Sequence, residues 1–496
     1  MIVGMALSRF KAYKQLKSLP IKPITLLCGT NSCGKSSILQ SILLAKQTIE
    51  SHGFSNQGLL INGRLARLGA FEDICYAHDL SQSVELGYAI RVERSALEAS
   101  HRPLTAVELL LHDHPFSIAA VPVSVDISFR FRLKSSPMAG DASLAPPEVE
   151  GLTVHARWST PSWTAPINSE IQFKRVKRDR YKVSFTNLRD RLKDRSHSTT
   201  NGEGEFDATF TNLRPTIQVS DHENERERFN TLDRALRRFF DVLENDLGNI
   251  SYIGPLREQP SRRYIYENEV LDIGPKGENA AHLFLTEAEK PINHEFDYDR
   301  VNDNFWHIPG RRMLGQSVES WMNALGMAQF RPKYNGDTIR LEMNANNAPT
   351  TRVSIADVGF GVSQTFPIIL EGLRLPRGGT LALEQPEIHL HPKLQMQMAD
   401  FFVTMALSGK GVIVETHSDH IVNRLVRRIV EDRDFDLASK IAIYFVTPSL
   451  EGAVCTPVEI SPNQGIVNWP TDFFDQTATE QELTMMSALK RRKERR

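Results

Sequence analysis

The chain has 496 residues, of which 41% are hydrophobic and 24% are charged, and its formal net charge is −1 at pH 7. These values are ordinary for a globular protein and exclude a low-complexity or fibrous chain, and the length leaves room for roughly two to three domains. The balanced charge excludes a uniformly basic molecule, so any nucleic-acid surface must be a local patch.

The cysteines and the apolar segments indicate the compartment. Cys28, Cys33, Cys75 and Cys455 are scattered without metal-ligand spacing, which favours a reduced cytoplasmic interior. The N-terminus shows no secretory signal pattern, and no apolar run approaches the roughly 18 residues needed for a membrane span. We therefore expect a cytoplasmic protein without a membrane partner.

A phosphate-binding pattern follows the first predicted strands. Residues 2–8 and 23–28 read as strands joined by a basic turn, and an apolar-periodic helix is predicted from residue 35 to about residue 49. Between the second strand and that helix, residues 29–36 read Gly-x-x-x-x-Gly-Lys-Ser. This is the P-loop pattern in the context that it requires, with a strand before it and a helix after it.

Each residue type in this loop suits a phosphate group. Gly29 and Gly34 let the backbone curl until its N–H groups point inward, at a helix end that favours an anion. Lys35 is placed to reach the β- and γ-phosphates, and Ser36 is placed to offer its hydroxyl to Mg²⁺. We therefore expect a bound nucleoside triphosphate. The predicted nucleotide-binding residues of the loop are Gly29, Thr30, Asn31, Ser32, Cys33, Gly34, Lys35, Ser36 and Ser37.

The middle of the chain predicts a different kind of structure. From residue 81 to about residue 215, segments such as 84–92 and 123–133 alternate polar and apolar residues, which is typical of strands with one buried face. Residues 221–247 then read as one amphipathic helix, too short for a long coiled-coil arm. We expect residues 81–250 to form a β-rich and then helical insertion.

A second chemical cluster lies near the C-terminus. A turn at residue 379 leads into an apolar strand that ends in Glu384, and P-loop enzymes place an acid at such a position to hold Mg²⁺. A further apolar strand, residues 411–415, is followed closely by His417, which can hydrogen-bond a γ-phosphate. Because the carboxyl ends of parallel strands converge on one crevice, we expect both residues beside the phosphate loop.

Four segments taken together resemble the ABC-type ATPases of the RecF, SMC and OLD branch. They are residues 29–36, 357–364, 383–392 and 415–418, and the resemblance covers residues 1–80 and the chain from about residue 250 onwards. It implies an α/β fold, in which a P-loop ABC-ATPase head with a mixed or parallel sheet carries the β-rich and helical insertion. It also implies ATP and Mg²⁺ as cofactors, with Ser36 and Glu384 as the magnesium ligands.

The same resemblance implies that the chain associates with itself. In that family a signature serine at a helix N-terminus of a second subunit closes over the γ-phosphate, and Gly361 and Ser363 match this position here. A glycine-rich helix start supplies N–H donors and a favourable dipole to an anion. A plain glycine-rich helix cap is the alternative interpretation of this segment. The expected assembly is a homodimer or a higher oligomer formed through the ATP sites.

The C-terminal segment resembles one subgroup of these ATPases. Residues 462–476 are similar to the short tail domain of bacterial ABC-type ATPases, whose relatives occur in phage-defence systems such as Septu and PARIS. There the ATPase is paired with a separate effector protein, often a nuclease, so the resemblance implies such a partner. The predicted division of the chain is 1–80 and 251–445 for the two halves of the ATPase core, 81–250 for the insertion and 446–496 for the tail.

One position departs from the family pattern. The residue after the magnesium acid usually activates the attacking water, and here it is Gln385. An amide can orient water but cannot accept its proton, and general-base help contributes about 10²–10⁴ in rate. Glu387 is the alternative base, although it follows a proline and suits a turn. The predicted catalytic residues are therefore Glu384, Gln385, Glu387 and His417, and we expect slow turnover of ATP and water to ADP and phosphate.

Two other functions stay open at this stage. A non-hydrolysing scaffold that only senses ATP would need the phosphate loop but no base. A DNA-repair type of ATPase would bind DNA directly, and the basic residues of the predicted hairpin 173–182 and of the tail 490–496 are the patches that would do so. A solvated edge strand and a disordered terminus are the alternatives for these two segments.

Overall fold

The fold of this mixed α/β protein comes from a computed structural model, in which helices pack on two large sheets. It describes residues 1–51, 58–93, 124–135, 147–159, 166–177, 179–189, 199–218, 223–265, 272–336, 338–345, 348–357, 360–470, 474 and 476–494. Parts of several predicted segments lie outside these residues: 123 of the strand 123–133, 178 of the basic hairpin, 221–222 of the helix 221–247, 358–359 of the signature, 471–473 and 475 of the segment 462–476, and 495–496 of the basic tail. In the described part, no helix is long and apolar enough to cross a membrane.

The strands and helices are numbered in chain order. The strands are β1 Ile2–Phe10, β2 Tyr13–Pro20, β3 Ile24–Gly29, β4 Val84–Glu93, β5 Ser124–Ser135, β6 Pro147–Ser159, β7 Ile167–Lys177, β8 Arg180–Arg189, β9 Thr199–Thr211, β10 Arg214–Gln218, β11 Ile250–Ile253, β12 Tyr264–Ile265, β13 Phe296–Asp299, β14 Asn304–His307, β15 Arg331–Asn335, β16 Thr338–Ala345, β17 Ala348–Ser354, β18 Thr380–Glu384, β19 Gly411–Glu415, β20 Ile441–Thr447, β21 Val454–Pro457, β22 Ile460–Ser461 and β23 Gly465–Ile466. The helices are α1 Lys35–Glu50, α2 Phe71–Ile74, α3 Glu223–Gly248, α4 Ala280–Glu287, α5 Leu314–Ala324, α6 Phe360–Arg374, α7 Pro392–Leu407, α8 Asp419–Glu431, α9 Leu437–Lys440 and α10 Gln476–Glu494.

The N-terminal hairpin begins the larger sheet. The expected strands at 2–8 and 23–28 are present, but the sequence did not predict β2, which pairs antiparallel with β1. Arg9 and Lys11 have positive φ angles of 55° and 49°, so the basic turn is tight enough to send the chain straight back. Strand β2 buries only every third residue, and this spacing conceals the alternation by which a strand is recognised.

The β-rich region extends this hairpin into one antiparallel sheet. The strand order is β10-β9-β8-β7-β6-β5-β4-β1-β2, with each neighbour antiparallel. Its apolar face packs on α1 and α3, where the ring of Phe240 lies edge-on to that of Phe129 at 5.3 Å and the hydroxyl of Tyr88 donates to the Ser41 carbonyl. The predicted helix 221–247 is thus confirmed as α3. The division of the chain into four parts stays a prediction.

The second sheet is built around the phosphate loop. Its order is β11-β18-β19-β3-β20-β21, and every pair except β20–β21 is parallel. The central strands are buried along almost their whole length, as the apolar runs of a parallel sheet covered on both faces require. Because these strands are parallel, β18, β19 and β3 all end at the same edge.

A buried ion cluster fixes helix α8, which begins just after His417. Asp400 of α7 is fully buried, and its carboxylate accepts hydrogen bonds from Arg428 Nε at 2.8 Å and Arg424 Nη2 at 2.8 Å. Arg428 also donates through Nη2 to Asp303 at 2.7 Å. Removing one member of such a cluster leaves buried charge without its partner, which costs more than the pair itself contributes.

We therefore expect Asp400→Ala to lower the free energy of unfolding by about 3–5 kcal/mol, because the Arg428 guanidinium stays buried without its main acceptor. Urea unfolding followed by circular dichroism measures this change. Glu431→Ala is the matched control, since Glu431 pairs with the same arginine at an exposed position and should cost only about 0–1 kcal/mol. Equal losses in the two variants would contradict this account of the cluster.

Candidate functional site

The phosphate loop joins β3 to α1 through two glycines that no other residue can replace without strain. Gly29 has φ 143°, and a Cβ there would lie 2.1 Å from the Val446 carbonyl oxygen. Gly34 has φ 106° and caps α1, and a Cβ there would lie 2.9 Å from the Cβ of Ala12. Backbone conformation and close packing therefore both require glycine at these positions.

The loop encloses the ammonium group of Lys35. The side chain is 3% exposed, and its Nζ donates to the carbonyl oxygens of Thr30 at 2.6 Å and Gly29 at 3.1 Å. The Sγ atom of Cys33 lies 3.7 Å from the same nitrogen. Thr30, Asn31 and Ser32 are exposed, while Cys33 and Ser37 are buried. The loop that the sequence predicts to bind phosphate thus encloses a charged donor, which is the kind of group that phosphate binding requires.

Ser36 reaches an acid that sequence reasoning did not single out. Its hydroxyl donates to Oε1 of Glu415 at 3.1 Å, and Glu415 is the last residue of β19, next to β3. Burial raises the pKa of Glu415, while the hydrogen bond from Ser36 opposes the rise and the neighbouring Glu384 adds to it. The hydroxyl predicted to bind Mg²⁺ therefore has the Glu415 carboxylate beside it, and Glu384 lies next to that carboxylate.

Glu384 lies where the sequence predicted it, at the end of β18. Its Oε1 accepts a hydrogen bond from the hydroxyl of Tyr252 at 2.9 Å. Burial raises the pKa of Glu384, and this hydrogen bond opposes the rise. Burial and the Glu384 charge also raise the pKa of Tyr252, so that the phenol remains a donor. The contact fixes one oxygen of the carboxylate.

The turn after Glu384 is held by its backbone. Gln385 has φ 46°, and its N–H donates to the carbonyl oxygen of Glu415 at 2.7 Å. Arg257 donates through Nη2 to the carbonyl oxygens of Glu384 at 2.8 Å and Gln385 at 3.1 Å. Burial lowers the pKa of Arg257 to about 10. These contacts tie the Gln385 backbone to β19 and to the segment that follows β11.

Glu387 lies next to His417, and its carboxylate holds the turn that carries this histidine. The two oxygens of Glu387 accept from the Thr416 hydroxyl at 2.8 Å and from the His417 N–H at 2.6 Å. Burial lowers the pKa of His417, and the positive charge of Lys35 lowers it further, so the imidazole is neutral at pH 7. The expected convergence of the Glu384 strand, the His417 turn and the phosphate loop is therefore found.

The signature residues lie at the start of α6. Gly361 packs against the turn that follows Glu384, since a Cβ there would come within 1.8 Å of the His389 carbonyl oxygen. Ser363 belongs to the first turn of the same helix. Gly361 is thus packed on the Glu384 segment of its own chain, and the contact of Gly361 and Ser363 with a nucleotide of a second subunit stays a prediction.

A cleft of about 380 Å³ opens beside the phosphate loop. It brings Ser36 and Gly34 together with Lys11 of the N-terminal turn, Asp73 of α2 and His78 of the segment after α2. No local sequence pattern places these last three residues at the site, because they lie in short elements that are separate from the phosphate loop. A volume within the usual ligand-pocket range of roughly 300–1,000 Å³ accommodates a small-molecule ligand.

Sequence reasoning did not predict three residues of the site: Glu415, Tyr252 and Arg257. They differ in whether a local pattern could have indicated them. Glu415 could have been noticed, because it is an acid ending an otherwise apolar strand and it precedes a polar turn. Tyr252 lies in the short strand β11 and Arg257 follows it, and the pairing of this strand with β18 is not encoded in any local pattern. Only the assembled sheet shows that they face Glu384.

The donor set fits a magnesium ion that is bound together with a nucleotide. Among the described residues, no group of three or more His, Cys, Asp or Glu side chains could hold a metal by themselves. Mg²⁺ is usually held by one or two carboxylates together with phosphate oxygens and water, and seldom by an all-protein cage. Ser36 and Glu384 would hold it here, and the ion would supply charge stabilisation for the phosphates.

Comparison with known proteins gives one family. The family model described as AAA ATPase domain matches residues 1–422. None of the curated proteins compared with the chain is similar to it. Solved structures similar to this chain include the SMC head domain from Thermotoga maritima, with 10% identity, a TM-score of 0.35, and coverage of 92% of this chain and 99% of that one.

Two further solved structures have similar values. The SmcHead bound to the C-winged helix domain of ScpA is 11% identical with a TM-score of 0.38, covering 92% of this chain and 98% of that one. The Smc head domain with an extended coiled coil bound to the C-terminal domain of ScpA derived from Pyrococcus furiosus is 10% identical with a TM-score of 0.37, covering 99% of both chains. At these scores the likenesses say nothing about the function of this chain.

We expect Lys35→Ala to abolish binding of Mg·ATP, because the only ammonium enclosed by the described part of the phosphate loop is lost. Fluorescence titration with a labelled ATP analogue measures the affinity. Lys290→Ala is the matched control, since Lys290 is an exposed residue paired with Glu287 outside the site, and it should bind as the wild type does. Unchanged affinity in Lys35→Ala would show that the loop is not the nucleotide site.

Proposed function

We propose that this chain, which belongs to the AAA ATPase domain family, binds Mg·ATP at the β3–α1 loop, hydrolyses it slowly and uses the bound state to control a partner. The single observation that carries the proposal is the convergence of three parallel strand ends. The loop with Lys35 and Ser36, the acid Glu384 and the turn with His417 lie at one edge of one sheet. A strained glycine loop, an enclosed ammonium and a buried carboxylate together match phosphate and magnesium chemistry.

Magnesium and hydrolysis follow from the same positions. Ser36 and Glu384 would hold the ion, while the loop N–H groups and Lys35 would neutralise the charge on the phosphates. His417, neutral and partly buried, would donate a hydrogen bond to a γ-phosphate oxygen. Each of these side chains lies at or just after the end of a buried strand, which limits the reorganisation needed when ATP binds.

Slow turnover is expected from the residue next to Glu384. Gln385 occupies the position that usually accepts the proton of the attacking water, and an amide cannot accept it. Glu387 follows closely, but its carboxylate is engaged with Thr416 and His417. A slow chemical step favours a long-lived ATP-bound state, which suits a switch better than a motor.

Assembly is the expected output of that state. The resemblance to the RecF, SMC and OLD branch supports ATP-dependent pairing through Gly361 and Ser363 of a second copy. This segment lies at the start of α6 and packs on the turn at His389. A pairing surface formed by it would therefore be coupled to Glu384. The tail resemblance supports control of a separate effector, such as a nuclease, in antiphage defence. Direct binding of nucleic acid would be seen as salt-dependent DNA affinity that survives removal of residues 490–496.

We expect Gln385→Glu to raise the steady-state rate of ATP hydrolysis by up to about 10²–10⁴, because a carboxylate replaces the amide at the usual base position. Phosphate release by the purified protein measures the rate. Glu319→Gln, which exchanges the same two functional groups at a half-buried position of α5 outside the site, should leave the rate unchanged. A flat rate in Gln385→Glu together with loss of turnover in Glu387→Gln would show that Glu387 is the base.

We expect Ser363→Arg to leave ATP binding intact but to block ATP-dependent association, because the substitution forces bulk and charge into the expected closing surface. Light scattering with and without Mg·ATP measures the association. Ser487→Arg, which makes the same change on an exposed face of α10, is the matched control and should associate as the wild type does. Association of Ser363→Arg equal to that of the wild type would remove this segment from the interface.

A further inference from the structure

One stretch of chain contacts both the acid side of the nucleotide site and the segment that is expected to meet a second subunit. This linking segment, residues 252–262, begins in β11, the edge strand that pairs with β18, and continues beyond that strand. On one side lies the acid turn, residues 384–391, which joins β18 to α7. On the other side lies the signature segment, residues 357–364, of which 357 and 360–364 are described.

The first half of the linking segment holds the beginning of the acid turn. Tyr252 donates through its hydroxyl to Oε1 of Glu384 at 2.9 Å. Arg257 donates through Nη2 to the carbonyl oxygens of Glu384 at 2.8 Å and of Gln385 at 3.1 Å. The linking segment therefore fixes both the carboxylate of Glu384 and the backbone that carries it.

The second half of the linking segment holds the signature segment. Gln364 donates through Nε2 to the carbonyl oxygen of Glu258 at 2.9 Å, and Gln364 is 4% exposed. Arg262 forms an ion pair with Asp357 at 2.6 Å. This ion pair is exposed and contributes little, whereas the loss of a buried hydrogen bond is costly. Gln364 is therefore the stronger of the two links.

Neighbouring residues make the contacts to the two parts. Arg257 binds the acid turn, and Glu258, the next residue, binds α6. A trans peptide bond fixes consecutive Cα atoms about 3.8 Å apart, so a displacement of one residue is passed to the other. The N–H of Glu258 also donates to the Lys276 carbonyl oxygen at 2.9 Å. Gly277, which follows Lys276, packs on α6, since a Cβ there would come within 2.5 Å of Pro367. The linking segment is thus attached to α6 at more than one point.

Arg257 is buried although two of its donor groups are unused. It is 7% exposed, and its Nε and Nη1 atoms have no hydrogen-bond partner within the described part of the chain. Leaving buried donors unsatisfied costs free energy, and such groups are rare in native proteins and need an explanation. The contacts that Arg257 does make are those to the two carbonyl oxygens of the acid turn, so its function is to be sought there.

A second contact joins the same two parts directly. Gly361 lies against the carbonyl oxygen of His389, in the last part of the acid turn. This contact fixes the end of the turn that leads into α7. The linking segment fixes the other end, which carries Glu384, so the two contacts act at different places.

Resting on the function proposed above, we propose that Arg257 and Gln364 are positioning residues that couple the position of Glu384 to that of the signature segment. A shift of α6 on pairing with a second copy is passed from Gln364 through Glu258 and Arg257 to the backbone of the acid turn. The acid of each nucleotide site then reaches its working position only when the signature segment of the same chain is engaged. Both residues act through their neighbours.

Amide hydrogen exchange of the nucleotide-free protein, followed by mass spectrometry, tests this coupling without any turnover. Gln364→Leu changes only the signature side, and we expect it to raise the exchange rate of residues 384–391 by about tenfold, because the acid turn is held less firmly. Arg257→Met removes the donors on the acid side and should have a similar effect. Because both residues act through one series of contacts, the double variant should exceed the larger single effect by no more than about twofold.

A conservative variant and a matched control separate positioning from general packing. Arg257→Lys keeps a cationic donor, so exchange in the acid turn should return to within about threefold of the wild-type rate. A role in filling space alone predicts the same exchange for lysine and methionine. Arg352→Met is the control, since Arg352 also donates to two backbone carbonyl oxygens, those of Gln329 at 2.8 Å and Glu342 at 3.1 Å, outside the site. It should leave the acid turn unchanged.

Turnover tests the consequence for the reaction. We expect phosphate release per wild-type chain to rise about tenfold or more with protein concentration, because pairing brings Glu384 to its working position. Gln364→Leu should pair as the wild type does, measured by light scattering with Mg·ATP. Its rate per chain should nevertheless stay at the value of the dilute protein.

The outcomes distinguish this proposal from the function on which it rests. Additive exchange effects in the double variant, or an unchanged acid turn in Gln364→Leu, overturn the coupling and leave the contact at Gly361 as the connection. Faster exchange throughout the chain in Arg257→Met assigns this residue to folding and also overturns the proposal. A wild type that releases no phosphate overturns hydrolysis as the function, while the exchange measurements still decide the coupling.

Discussion

The parallel register of β18, β19 and β3 is the constraint on which the site depends. Register fixes which residues end their strands together, and here it aligns Glu384, Glu415 and the start of the phosphate loop at one edge. A slip of one residue in any of these strands would turn each end side chain to the opposite face of the sheet. The apolar strand interiors, covered by helices on both faces, make such a slip costly because they would have to be repacked.

Around this edge, polar contacts hold the backbone as firmly as they hold side chains. Arg257 donates hydrogen bonds to the carbonyl oxygens of Glu384 and Gln385, and the Gln385 N–H donates to the last carbonyl oxygen of β19. Glu387 holds the turn that carries His417, and α8 behind this turn is fixed by the buried Asp400 cluster. Several buried charges are thus kept together near the site, an arrangement that favours a fixed geometry over maximal stability.

The antiparallel sheet takes part in the site through its first turn. Ala12, between β1 and β2, packs against Gly34 of the phosphate loop, and its carbonyl oxygen accepts a hydrogen bond from the Ala453 N–H just before β21. The cleft beside the loop is lined in part by this turn and by the segment after α2. The β-rich strands therefore continue a hairpin that touches the nucleotide site, although the sequence separated them from the core.

The sequence by itself determined the elements whose chemistry is local. A few adjacent residues encode each of these elements: the glycines, lysine and serine of residues 29–36, the acid that ends β18, and the turn with His417. They can be read locally because backbone conformation and strand burial each produce a pattern in neighbouring residues. Only the tertiary structure decided which strands are neighbours, since hydrogen-bond pairing between residues hundreds of positions apart has no local signature. For that reason only the folded chain shows that Ser36 is hydrogen-bonded to Glu415, that Arg257 binds the carbonyl oxygens after β18 and that Tyr252 donates to Glu384. The strand β2 was missed because its buried residues do not alternate.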